Sequence, residues 1–134
     1  MSRHALASLW LLFASACSRG DAGLPDPYAG LEVPDDLRSP ERRAQGAALF
    51  QDHCALCHGA RADGHGARRE GLQPKPRDFT DPAWRERASP RAVFYAVREG
   101  VRGTAMPAWK SLDDDEVWDL VAFLLSAGEA SPPR

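Results

Sequence analysis

The sequence is short of several things that would widen the choice of function. It has 134 residues, enough for one compact domain with appendages. Its formal net charge is only −2, so no strong global attraction to nucleic acid is expected. It has no long hydrophobic run. The mostly apolar stretch at residues 5–13 is interrupted by Ser8 and is far too short to span a bilayer. It has no convincing strand pattern and no internal repeat, so the expected fold is all-α. Only three cysteines are present, Cys17, Cys54 and Cys57. With no second cysteine pair, a four-ligand zinc site has too few partners. With no strands around Cys54 and Cys57, thioredoxin-like dithiol chemistry is not expected either. Methionine is rarer still, with Met1 and Met106 alone.

What is present begins with an export signal. Arg3 gives a short positive start, residues 5–13 an apolar core, and Ala14-Ser15-Ala16 a small-residue cleavage site. Residues 1–16 are therefore expected to be a signal peptide. Cleavage after Ala16 makes Cys17 the first mature residue. This resembles the lipobox of bacterial lipoproteins, whose cysteine thiol is acylated, although Ala14 stands where that pattern has leucine. Lipidation also accounts for an odd cysteine in an exported chain. The implied location is the periplasmic face of a bacterial membrane. Residues 17–39, rich in Gly and Pro and without a sustained apolar period, read as a flexible tether.

A folded domain is expected over residues 40–128, followed by a disordered tail at 129–134. Ser39-Pro40 combines an N-cap oxygen with proline at the first helical position. The helix it opens places Gly46, Leu49, Phe50 and His53 on one face. Residues 59–88, with four glycines and three prolines, read as loop. So long an irregular stretch is unusual in a small domain, unless it wraps something large that serves as core. A second helix opens at Ser89-Pro90, carries Val93, Phe94 and Val97 on one face, and is capped by Gly100. The loop at 101–111 holds Met106-Pro107. The last helix starts near Asp113, with Asp114, Asp115 and Glu116 in its first turn, where the helix dipole favours negative charge. Val117, Leu120, Val121 and Leu124 form its apolar stripe, and Gly128 ends it.

The chemistry lies in Cys54-Ala55-Leu56-Cys57-His58. Two thiols at this spacing can add across the two vinyl groups of haem as thioethers, and the following histidine is then held beneath the iron as an axial ligand. The expected cofactor is one covalent haem c. For the second axial position, Met106 is the only methionine left after signal cleavage. It sits before a proline in a loop, not on a helical stripe where a gap-filling methionine belongs. His53 and His65 compete with it. His53 adjoins Cys54 and does not easily reach the opposite face of the haem, whereas His65 lies in a Gly-rich loop.

Taken together, residues 40–126 resemble a class I, monohaem, His/Met cytochrome c domain. The resemblance rests on Gly46 and Phe50, on Cys54-Ala55-Leu56-Cys57-His58-Gly59, on Met106-Pro107 and on residues 120–124, and covers about two thirds of the chain. It implies a crossing of the first and last helices at Gly46, Phe50, Leu120 and Phe123. It implies His58 and Met106 as iron ligands, and a proline carbonyl, from Pro74 or Pro76, that accepts a hydrogen bond from the His58 ring. Such a bond fixes the histidine tautomer and raises its basicity. Arg77, Trp84 and Trp109 are candidates for bonding the haem propionates. Trp84 reads more readily as a packing residue.

The expected function is outer-sphere electron transfer between redox protein partners, with both axial ligands staying bound and no enzymatic turnover. Residues 59–102 carry ten Lys/Arg against six Asp/Glu, which suits docking to an acidic partner. The alternative is a sensor or peroxidase-like protein in which Met106 is displaced and His65 serves as the base over the haem.

Overall fold

The computed structural model describes residues 23–25 and 27–129. Residues 1–16, expected to be a signal peptide, Cys17 and residues 130–134 lie outside the described residues. The regular structure is a 3₁₀ turn at Tyr28–Gly30 and five helices: α1 Pro40–His53, α2 Ala55–His58, α3 Pro82–Arg87, α4 Pro90–Glu99 and α5 Asp114–Ser126. The described residues contain no strand.

Short polar side chains set where the helices begin. Ser39, Asp81 and Ser89 each accept a hydrogen bond from the first turn of the helix they precede, and each is followed by proline. Such a cap is worth about 1 kcal/mol. α5 opens with a full capping box, in which Asp113 and Glu116 exchange bonds of 2.9 Å. The expected starts of α1, α4 and α5 agree with this. The expected loop at 59–88 differs, because it contains α3. Asp81-Pro82 carries the same signal as the other two starts. The six residues that follow are too few to show a period amid so much glycine and proline.

The core is the crossing of α1 and α5. Phe50, Leu120, Val117 and Val121 are fully buried, and the rings of Phe50 and Phe123 lie 5.0 Å apart. Gly46 makes the approach possible, because a Cβ there would sit 1.9 Å from the carbonyl oxygen of Asp119. Beside this seam, Arg42 in α1 bonds Asp119 and Asp36 at 2.8 Å each and Asp115 at 3.3 Å. α4 packs on the other side of α5, with Phe94 and Trp118 at 4.6 Å.

Residues 27–39, assigned above to a flexible tether, lie against the domain instead. Tyr28 packs on Tyr95 at 4.8 Å and donates its hydroxyl to Glu99. Burial first, and then this bond, push its pKa up to about 12. Arg91 Nε donates to the Leu31 carbonyl at 2.6 Å, and Leu37 is buried in the core. The sequence pattern alone points to a tether, because Tyr28, Leu31, Val33 and Leu37 follow no helical or strand period. Docked without regular structure, they need none. At the other end, Glu129, expected to begin a disordered tail, pairs with Arg43 at 3.2 Å.

Candidate functional site

A cavity of about 550 Å³ opens between α1, α2, α4, α5 and the two irregular segments. Its walls are mainly apolar, with Phe50, Phe79, Val97, Leu120 and Leu124 among them. Cys54, Cys57, His58 and Met106 all line it, as do Pro74, Pro76, Arg77 and Trp109. The expected site residues from 54 to 109 are thus brought to one place. Cys17 lies outside the described residues.

The Cys54–His58 stretch forms one tight helical turn, in which the amides of Cys57 and His58 both donate to the Cys54 carbonyl, at 3.1 and 2.9 Å. The next loop then folds back over that turn. Gly59, Gly64, Gly66 and Arg68 donate their amides to Ala55, His58, Cys57 and Leu56 respectively, at 2.7 to 3.2 Å. The turn that carries the thiols therefore has its carbonyls satisfied by backbone alone. Gly66 is required for so close a return, since a Cβ there would lie 2.4 Å from the Cys57 carbonyl carbon.

Both thiols are free and half-buried. Burial, and then the neighbouring Cys57, push the Cys54 thiol up to about 11. A dithiol oxidoreductase needs the opposite, an attacking thiolate at ambient pH. The environment of Cys54 therefore does not supply one.

His58 lies between Phe79, at 4.9 Å, and Phe50, at 6.4 Å between ring centres. Its Nδ1 is 3.1 Å from the carbonyl of Arg77. A carbonyl can only accept, so the proton sits on Nδ1 and the Nε2 lone pair is free for a metal. Burial lowers the pKa of the ring and keeps it neutral, as ligation requires. The acceptor corrects the expectation of a proline carbonyl, because neither Pro74 nor Pro76 provides it. The Pro76 carbonyl faces Gly64, where a Cβ would meet it at 2.8 Å, and the acceptor falls one residue later. Any residue has a carbonyl, so Arg77 gave no signal in the sequence for this role.

Met106 is half-buried in the loop between α4 and α5. Its amide donates to Thr104 Oγ1 at 3.1 Å and its carbonyl accepts from Val101 at 3.3 Å. Trp109 also lines the cavity, and its ring lies 5.1 Å from that of His53. His53 itself reaches the cavity wall, which its place next to Cys54 did not suggest. His65 is exposed, bonds Asp63 through Nδ1 at 2.7 Å, and is not among the lining residues. The base required by the peroxidase-like alternative is therefore not on the cavity wall. Trp84 stands edge-on to Phe79 at 4.9 Å and does not line the cavity, in keeping with a packing role. Arg68, Lys75 and Arg77 do line it, and Leu56 and Val101 on its wall are the exposed large hydrophobic side chains of the described residues.

Residues 41–124 match the protein family described as cytochrome c oxidase, cbb3-type, subunit III. The chain belongs to this family of c-type cytochromes. Among its relatives, cytochrome c55X of Stutzerimonas stutzeri is 33% identical over 129 residues, which cover 93% of each chain. The cbb3-type cytochrome c oxidase subunit FixP of Rhizobium meliloti (strain 1021) is 37% identical over 90 residues, 66% of this chain. The match spans only 29% of that longer subunit. Among solved structures, the KustC0563 c-type cytochrome superposes with a TM-score of 0.51 at 32% identity, over 60% of this chain and 94% of its own. The cytochrome cL of Methylophaga aminisulfidivorans MPT, at 20% identity and a TM-score of 0.53 over 72% of this chain and 62% of its own, shares the fold.

Membership in the c-type cytochromes carries with it one covalently bound haem c and haem-based electron transfer. The residues present fit that group. Two free thiols at Cys-x-x-Cys-His spacing, a neutral imidazole with its Nδ1 already engaged and a thioether residue face one apolar cavity. Among the described residues no cluster of three or more His, Cys, Asp or Glu could hold a metal ion, and no helix is long and apolar enough to cross a membrane.

Proposed function

We propose that the chain is an exported one-electron carrier, or the electron-transfer subunit of a respiratory or dehydrogenase-linked chain, in which His58 and Met106 are the two axial ligands of the haem. The observation that carries this reading is that Cys54, Cys57, His58 and Met106 line a single apolar cavity. When bound, haem c supplies a one-electron ferric/ferrous couple.

The protein's own residues do the rest. Cys54 and Cys57 hold the group covalently. His58 offers a neutral Nε2, with its tautomer set by the Arg77 carbonyl. Met106 offers a soft sulfur that favours ferrous iron and so raises the reduction potential. Phe50, Phe79, Leu120 and Leu124 exclude water and make added charge in the cavity unfavourable. Arg77 and Trp109, both on the cavity wall, bond the propionates in this reading. Arg68, Lys75 and Arg77, with exposed Leu56 and Val101, form a rim suited to an acidic redox partner. Export through residues 1–16 and acylation at Cys17 put the carrier on the periplasmic face of a bacterial membrane.

The test is Met106→Ala in the ferric holoprotein. The low-spin spectrum is expected to become high-spin, with loss of the sulfur-to-iron charge-transfer band. An unchanged spectrum overturns Met106 as ligand, and His53 on the same wall is the next residue to replace.

A further inference from the structure

We propose that Arg98 is the positioning residue that holds the Met106 loop against the cavity. The inference rests on the ligation by Met106 proposed above and names what keeps that ligand in place.

Residues 100–113 have no regular structure, yet they carry one of the two axial ligands. Their front half is closed by backbone and by Thr104. Gly100 lets the chain return so tightly that a Cβ there would lie 2.8 Å from both the Met106 carbonyl oxygen and the Pro107 carbonyl carbon. Behind Met106 the arrangement is different. The amide of Trp109 donates to Val97 at 3.1 Å, and three further bonds come from one side chain. Arg98, in the last turn of α4, donates Nη1 to the carbonyls of Trp109, at 3.3 Å, and of Leu112, and Nη2 to Asp114 in the first turn of α5. Its side chain is 11% exposed, and the guanidinium carbon stands 5.5 Å from the centre of the Phe94 ring.

One planar cation thus spans the end of α4, the back of the Met106 loop and the start of α5. Arginine suits the place because its fork offers several donors in fixed directions, whereas a lysine ammonium is a compact point charge on a flexible stem. Glu99 adds a second brace, accepting from Lys110 at the end of the loop and from Tyr28 of the docked N-terminal segment. Without Arg98 the Trp109 and Leu112 carbonyls lose their side-chain donor and Asp114 loses its partner. The back of the loop is then held chiefly through Trp109, and the Met106 sulfur leaves the iron position more often.

Imidazole added to the ferric holoprotein reports that departure, because it can bind only where the sulfur has left. Arg98→Met is expected to raise the apparent imidazole association constant at least about tenfold, the scale of lost hydrogen bonds to a charged group, and to weaken the sulfur-to-iron charge-transfer band. Arg98→Lys is expected to shift both in the same direction by less, and it decides the matter if Arg98→Met does not fold. Arg42→Met is the control for lost stability alone, since it breaks an ion-pair network of similar weight that does not touch the loop. It is expected to leave imidazole binding at the wild-type value. Wild-type imidazole binding in both Arg98 variants, or an equal rise in Arg42→Met, overturns the assignment. Retention of the charge-transfer band in Met106→Ala overturns instead the ligation on which the assignment rests.

Discussion

Replacing Gly46 by Ala sets helix propensity against packing, and packing is expected to win. In α1, alanine is favoured over glycine by about 1 kcal/mol. The added Cβ, however, meets the Asp119 carbonyl oxygen at 1.9 Å, its carbon at 2.5 Å and Phe123 Cβ at 2.9 Å. Ordinary contact begins near 3.4 Å, so the helices must part by about 1.5 Å. Two of the three obstructing atoms are backbone, and no rotamer change relieves them. Parting the helices loosens Phe50, Leu120 and Phe123, each worth about 1.5–3 kcal/mol when buried. A gap of about 0.5–1 Å forfeits a quarter to a half of such contacts. With residual strain added and the propensity gain subtracted, Gly46→Ala is expected to destabilise the protein by about 3–5 kcal/mol. The assay is urea unfolding of the ferric holoprotein followed by far-ultraviolet circular dichroism. Ala48→Gly, at an exposed position of the same helix, is the control, with an expected loss of about 1 kcal/mol from propensity alone. A Gly46→Ala protein as stable as the wild type refutes the close crossing.

Two further outcomes follow from charge. Arg42→Met leaves the Asp119 carboxylate buried beside Asp115 and Asp36 without its counter-ion, at an expected cost of about 2–3 kcal/mol at pH 7, and Asp119→Asn in the same chain restores most of it. Burial already raises the Asp119 pKa against the pull of Arg42. A raised folded pKa favours the protonated folded state, so this group's stabilisation is present at low pH and lost as pH rises through the folded value. Without Arg42 that value rises further, and the deficit is expected to shrink as pH falls from 7 towards 4; a deficit that does not change with pH refutes the assignment. The second outcome concerns the rim of Arg68, Lys75 and Arg77. Raising ionic strength from 0.01 to 0.15 M cuts the screening length from about 30 to about 8 Å. Oxidation of the ferrous protein by anionic ferricyanide is expected to slow several-fold over that range, while oxidation by a cationic cobalt complex does not. Equal salt dependence for both reagents refutes a locally basic edge.

What could be read from the chain alone follows from how each feature is encoded. Ser39-Pro40, Ser89-Pro90 and Asp113 mark helix starts by residue type, and those starts stand within a residue of expectation. Cys54, Cys57 and His58 announce their chemistry by identity and spacing. Met106 was exposed by scarcity and by its place before Pro107. The features that differ from expectation are encoded by shape. The Arg77 carbonyl bonds His58 because Gly64 brings the Pro76 carbonyl close and so sets which carbonyl comes next, and backbone groups have no letter of their own. Residues 27–39 pack through side chains at irregular intervals, which hydrophobic periodicity does not reveal. Arg98 carries no signal of its role in its residue type or its place near a helix end. Its three acceptors are spread over residues 109–114 and converge only once α4 and α5 are placed.

The two walls that offer ligands to the cavity are built differently, and that difference bears on function. On the His58 side the amides of Gly59, Gly64, Gly66 and Arg68 return to the carbonyls of residues 55–58, and the ring is held by a further carbonyl. Freeing His58 would break a network of backbone bonds around a covalently held turn, in which Gly59 and Gly64 are buried. On the Met106 side the loop is held by the Thr104 side chain, Arg98 and the Glu99–Lys110 pair, and in addition by three backbone contacts, from the amides of Val101, Thr104 and Trp109. Half of those braces are side chains that substitution can alter without disturbing the path of the chain. Under the proposed ligation the imidazole is thus the fixed ligand and the thioether the adjustable one. A protein that must keep its haem while matching its potential to a partner can vary the second wall and leave the first alone.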